Sequence, residues 1–205
     1  MLKKIIYLNA GHHHLDPGAS GNGLIERDEV IKIRDLLIPK LEEYFEVYVC
    51  PDNLRLQDSV RWVNGLAKGI NDGLALSLHM NAGRGEGAEC FYYDYSIKGR
   101  SMAKKLLNSY CDTTRLNNRG AKPDRKSANK YLWWVKNTNP WALLLETCFI
   151  DNKKDTDYFR THKEQIAEGI YQGILAIYNI KEKAEIKKKI IQNLTNSLKL
   201  VDQLC

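Results

Sequence analysis

The sequence predicts an α/β fold: a single domain with a central, mostly parallel or mixed twisted sheet covered by helices on both faces, followed by a C-terminal helical tail. Three observations carry this. Apolar runs of strand length alternate with stretches of helical periodicity, the pattern of strands joined by crossover helices. The run Leu74-Ala75-Leu76-Ser77-Leu78 is apolar at nearly every position, as burial on both faces of a sheet demands. A chain of 205 residues, 43% apolar and 27% charged, is long enough for one full core plus an appendage.

Residues 4–9 read as a first buried strand, and the His/Gly/Asn-rich stretch 11–23 as a loop. Val30, Ile33, Leu36, Leu37 and Leu41 then mark an amphipathic helix from Glu26 to Tyr44, with Pro39 expected to kink or divide it. Phe45 to Cys50 is a second strand. Leu56 to Ile70 is a second helix with Val60, Val63, Leu66 and Ala67 inward, stopped by Asn71-Asp72-Gly73. Leu74 to His79 is the central strand. Gly83, Gly85 and Gly87 form a turn before a strand at Ala88 to Tyr93, and Ser101 to Tyr110 is a third helix. The polar, basic stretch 117–130 is expected to be a loop on the active face. Tyr131 to Val135 and Ala142 to Thr147 are expected to be two strands around a turn at Pro140. A last domain helix from His162 to Tyr178 places Ile166, Ile170, Ile174 and Ile177 at helical spacing.

After Asn179-Ile180 the composition shifts to Lys, Glu, Ile, Asn and Leu, so the expected division is 1–179 for the domain and 180–205 for a helical tail. Ile191, Leu194, Leu198, Val201 and Cys205 recur at coiled-coil spacing. The same stripe suits docking onto the domain, self-association or a partner helix.

Lysine and arginine outnumber aspartate and glutamate by 31 to 25, a net +6 that favours polyanionic surroundings without choosing among them. The five cysteines, Cys50, Cys90, Cys111, Cys148 and Cys205, form no CxxC pair and argue against a disulfide framework. Met1 to Asn9 carries two lysines before an apolar run of about four residues, where a signal peptide needs roughly 7–15, so the start reads as a strand rather than a signal. No stretch approaches the ~20 apolar residues of a membrane span.

Four titratable residues stand where strands leave the core or a helix begins: His12, Glu26, His79 and Glu146. In an alternating α/β chain the carboxyl ends of the strands form the ligand crevice, so these distant segments can converge. Two imidazoles and one carboxylate make a catalytic zinc set with an open position, and a further carboxylate can serve as base. His79 and Glu146 each emerge directly from an apolar run, where an uncompensated charge is costly. Glu26 has an ordinary explanation as well, since the first turn of a helix favours an acid. His13 and His14 read as loop residues and His162 as a surface residue of a first helical turn.

Four segments stand out: Gly11-His12 with Asp16-Pro17-Gly18-Ala19, Glu26-Arg27-Asp28, Ser77-Leu78-His79-Met80-Asn81-Ala82, and Glu146-Thr147-Cys148-Phe149-Ile150-Asp151-Asn152. In these segments the chain resembles the zinc-dependent N-acetylmuramoyl-L-alanine amidases of the Amidase_3 type. The segments stand in the family's order across residues 3–179. Asn9-Ala10 departs from the common Asp-Pro, and His13-His14 from a Gly-Gly pair. The resemblance implies that His12, Glu26 and His79 bind one zinc ion per chain and that Glu146 is the catalytic carboxylate. It also implies cleavage of the amide between the lactyl group of N-acetylmuramic acid and L-alanine of the stem peptide.

Asn81 is a candidate to hold the tetrahedral oxygen or a substrate amide, and Arg119 and Lys122 to meet stem-peptide carboxylates. Peptidoglycan is the expected partner, with no nucleic acid and no stable membrane insertion. The reading suggests a phage endolysin, made in the host bacterial cytoplasm without a signal peptide and reaching the cell wall after holin release. Two rivals are a zinc carboxypeptidase trimming the stem peptide and a catalytically inactive wall-binding protein.

Overall fold

The computed structural model describes residues 3–68, 73–182, 190, 191 and 193. Strands β1 (Lys4–Asn9), β4 (Phe45–Val49), β5 (Leu74–Asn81) and β8 (Trp141–Phe149) run parallel, whereas β6 (Ala88–Tyr92) is antiparallel to β8 and parallel to β7 (Asn118–Pro123). The six-stranded sheet has the order β4-β1-β5-β8-β6-β7, and a separate hairpin pairs β2 (Ser20–Gly21) with β3 (Leu24–Ile25).

Alternation along the strands divides the core into two layers. Ile6, Leu8, Leu74, Leu76, Leu78, Leu143 and Leu145 face one side, packed by α1 (Glu26–Glu42), α3 (Ile97–Thr114) and α6 (Lys163–Tyr178). Those helices supply the periodic apolar stripes, among them Val30, Ile33, Leu37, Leu106, Ile166, Ile170 and Ile174, all with no exposed surface. Tyr7, Ala75, Phe91, Ala142 and Leu144 face the other side, covered by α2 (Leu56–Ala67) and the short α4 (Trp133–Asn137). The connections from β1 and β5 depart toward opposite edges of the sheet, so their carboxyl ends flank a switch-point crevice.

The α/β architecture matches the expectation, with several local corrections. Pro39 lies inside an unbroken α1. It sits on the exposed side, where water can satisfy the carbonyl that its missing N–H leaves free. Leu66 is 39% exposed on α2 instead of inward. Part of the expected loop 11–23 forms β2, and part of the expected loop 117–130 forms β7 and a 3-10 turn at Asp124–Lys126. Tyr131 to Val135 is not a strand, since Trp133 opens α4. A further helix, α5 (Lys153–Thr161), precedes α6 and is capped by the Asn152 side chain, which accepts from the Asp155 amide. Buried Asp155 in turn accepts from the amides of Gly87 and Phe149, both at 2.8 Å, and so ties the loop after β5 to the end of β8.

Of the tail, Ile191 alone in the expected seam is described, in helical conformation and 54% exposed. Leu194, Leu198, Val201 and Cys205 lie outside the described residues, as do Asn71 and Asp72 of the expected helix stop. No helix among the described residues is long and apolar enough to cross a membrane.

Candidate metal centre and active site

His12 and Glu26 reach the same point from the two ends of the segment joining β1 to α1, and His79 reaches it from β5. His12 Nε2 lies 2.9 Å and His79 Nδ1 3.0 Å from Glu26 Oε1, and the two rings meet edge to face at 5.0 Å between centroids. One ligand atom from each of the three lies within 4.8 Å of the others, the one such group among the described residues. The loop is shaped for this approach. Gly11 has φ +61°, and a Cβ there would stand 2.5 Å from the Leu78 carbonyl and 2.7 Å from the His79 ring. A Cβ on Gly18 would stand 2.6 Å from Glu26 Oε2, so neither position accepts a side chain.

Backbone donors lock the central carboxylate. The Met80 amide donates to Oε1 at 3.0 Å and the Ala19 amide to Oε2 at 2.9 Å. Burial pushes the Glu26 carboxyl up, but hydrogen bonds and charge from His12 and His79 together hold it well below the usual carboxylate range. His12 Nδ1 is 3.0 Å from Asp16 Oδ2, an outer carboxylate that orients the ring and leaves Nε2 facing the cluster. For His12, burial works downward, yet the bonds to Glu26 and Asp16 outweigh it and lift the imidazole to about 9. A buried carboxylate with two imidazoles drawn onto it has the donors to hold a cation. Two nitrogens and one oxygen suit zinc, with a position left over for water or substrate.

The next strand carries the second half of the site. His79 on β5 is in register with Glu146 on β8, and Glu146 with Glu89 on β6. All three lie on the face that α2 and α4 cover only partly, so they form a row across the floor of an open pocket of about 610 Å³. Glu146 Oε2 is buried and finds no hydrogen-bond partner among the described residues. Burial first, then the charges of Glu26 and Glu89, push its carboxyl up to about 8, against a smaller downward pull from His12. A carboxyl in that condition holds and releases a proton near neutral pH.

The expected substrate contacts converge on a residue that sequence reasoning missed. Glu89, 5% exposed, accepts from Asn81 Nδ2 at 2.8 Å, Arg119 Nε at 2.9 Å and Lys122 Nζ at 2.5 Å. The Arg119 guanidinium also lies 4.6 Å from the centroid of the Phe149 ring. Asn81 and Arg119 line the pocket along with His12, Glu26, His79 and Glu146. Glu89 was legible by the argument applied to Glu146, a lone carboxylate in the apolar strand Ala88-Glu89-Cys90-Phe91-Tyr92. His13 and His14 stay outside the cluster, and His13 Nδ1 instead accepts from the Leu15 amide at 3.2 Å. His162 is exposed at the start of α6.

The chain matches the Amidase_3 family, N-acetylmuramoyl-L-alanine amidase, over residues 6–176. It is 33% identical over 193 residues to an endolysin of Bacillus phage SPP1, covering 89% of this chain and 69% of that protein. It is 28% identical over 193 residues to the N-acetylmuramoyl-L-alanine amidase CwlM of Bacillus licheniformis, covering 90% and 73%. Among solved structures, the N-acetylmuramoyl-L-alanine amidase of Clostridium difficile 630 superposes with a TM-score of 0.76 at 20% identity, over 89% of this chain and 100% of that one, a likeness of fold. The sequence match and the shared architecture agree: the chain belongs to the Amidase_3 family and is a peptidoglycan amidase.

Proposed function

We propose that His12, Glu26 and His79 hold one zinc ion per chain and that Glu146 handles the proton as the lactyl–L-alanine amide of peptidoglycan is hydrolysed. The observation that carries this is the meeting of three ligand atoms within 4.8 Å of one another, with Glu146 in register beside His79 on the pocket floor. Zinc bound there supplies Lewis acidity, which acidifies water and polarises a carbonyl. Asp16 fixes the His12 ring, and the Met80 and Ala19 amides fix Glu26, so the ligand set is organised before anything binds. Glu146 accepts the proton of the attacking water and passes it to the departing alanine nitrogen. Arg119, held between Glu89 and Phe149, faces the pocket as the cation for a stem-peptide carboxylate. Lys122 shares the grip on Glu89, and Asn81 stands beside the centre to meet a substrate oxygen or amide.

The end of the family match at residue 176 supports taking 1–179 as the catalytic domain and 180–205 as a separate tail, whose apolar stripe suits docking onto the domain or self-association. Similarity to the SPP1 endolysin supports synthesis in a bacterial host's cytoplasm followed by action on its wall.

Product analysis tests the reaction. Digested peptidoglycan is expected to yield free stem peptide beginning with L-alanine and glycan strands of undiminished length. Release of one C-terminal amino acid with the lactyl amide intact would identify a carboxypeptidase instead. Glu89→Gln tests the positioning of Arg119: KM for a soluble muropeptide is expected to rise roughly tenfold with bound zinc unchanged, while loss of the Glu89 charge moves the pH profile of kcat to lower pH through Glu146. An equal fall in kcat with KM unchanged would place Glu89 in the chemistry rather than in substrate binding.

A further inference from the structure

We propose that Tyr131 and Trp133 form a platform for a sugar ring of the glycan strand, so that substrate crosses the site with its glycan on α4 and its acidic peptide toward β7. This inference rests on the amidase reading above. Trp133 and Tyr131 are 38% and 36% exposed and line the same pocket as the metal cluster. Their exposure is imposed by the fold. The neighbouring Trp134 is 1% exposed and donates Nε1–H to the Leu143 carbonyl at 3.1 Å, while Val135 joins the core, and this anchoring leaves Trp133 at the lip.

The two rings are also held still. Their centroids are 6.0 Å apart, Asn137 donates to the Tyr131 hydroxyl at 2.8 Å, and Lys136 lies 4.6 Å from the centre of the Tyr131 ring. Rigid, half-exposed aromatics beside a pocket offer contact area at low entropic cost. The pocket wall between them and the 3-10 turn carries Ser127, whose Oγ is buried without a hydrogen-bond partner among the described residues. Apolar faces with an uncharged hydroxyl nearby suit a pyranose, which presents C–H faces and a rim of hydroxyl and acetamido groups. The same pocket also offers Arg119, already fixed on Glu89, which suits the charged peptide. The scissile amide joins these two parts, and the metal cluster and Glu146 line the same pocket as the aromatic pair and Arg119.

Product inhibition separates the two halves. Peptide-free glycan strands and free stem peptide are each tested as inhibitors of peptidoglycan hydrolysis by the parent, Trp133→Ala and Trp133→Phe. In Trp133→Ala the glycan inhibition constant is expected to rise about tenfold, with the stem-peptide constant within about twofold of the parent. Trp133→Phe, which keeps an aromatic face, is expected to retain glycan inhibition. Absence of glycan inhibition in the parent, or an equal shift of both constants in Trp133→Ala, would overturn the platform while leaving the amidase intact. A parent that hydrolyses no peptidoglycan would remove the amidase reading and this inference together.

Discussion

Replacing Glu146 with glutamine is expected to abolish hydrolysis and leave the metal in place. Glutamine keeps the size of the side chain and its position between His79 and Glu89 across the sheet, and it leaves the three proposed ligands untouched. What it removes is the group proposed to take up and deliver the proton, a contribution of ~100- to 10,000-fold in rate. The fold should tolerate the change. Glu146 carries a buried oxygen without a partner among the described residues, and burial together with the like charges of Glu26 and Glu89 makes its ionised form costly, so a permanently neutral amide removes that cost and the melting temperature is expected at or above that of the parent. Metal analysis on the purified variant should give one zinc per chain with kcat reduced by that factor. A variant with kcat within about twofold of the parent would remove Glu146 from the chemistry.

The parts of this fold legible in the sequence are those whose pattern reports burial directly. β1, β5 and β8 are near-continuous apolar runs, and α1 and α6 carry clean stripes, so their types and places follow from residue spacing alone. His12 follows β1, Glu26 opens α1, and His79 and Glu146 lie in the carboxyl-terminal halves of β5 and β8. The elements misread owe their form to neighbours. β7, with Arg119, Gly120 and Lys122, has a polar, loop-like sequence because it is an edge strand, and only pairing with β6 makes it a strand. Trp133-Trp134-Val135 has strand propensity, but docking Trp134 between α2 and the sheet turns the segment into a helix, tertiary packing overriding local preference. α5 is almost wholly charged or polar and is held by the Asn152 cap and by the buried Asp155, neither of which leaves a periodic apolar signal. Glu89 escaped for a related reason: its cationic partners lie in the stretch read as a loop, so nothing in sequence order drew Arg119 and Lys122 toward it.

His79→Ala is expected to lose both metal and activity, which separates a ligand from a proton carrier. The ring makes one side of the cluster, touching Glu26 Oε1 at 3.0 Å and the His12 ring edge to face, while Glu26 keeps its bonds to His12 and to the Met80 and Ala19 amides. The variant should therefore fold, with two ligands where three are needed. Thermal unfolding gives a readout independent of catalysis. An ion that binds only the native state stabilises it by about 2.7 kcal/mol at a concentration ~100 times its dissociation constant, so added zinc should raise the melting temperature of chelator-stripped parent and of Glu146→Gln. It should leave His79→Ala unmoved at the same concentration. Chelation should silence the parent as completely as the substitution does, and restored zinc should revive the parent alone. A His79→Ala protein that binds one zinc per chain and cleaves peptidoglycan at the parental rate would break the link between this cluster and the reaction.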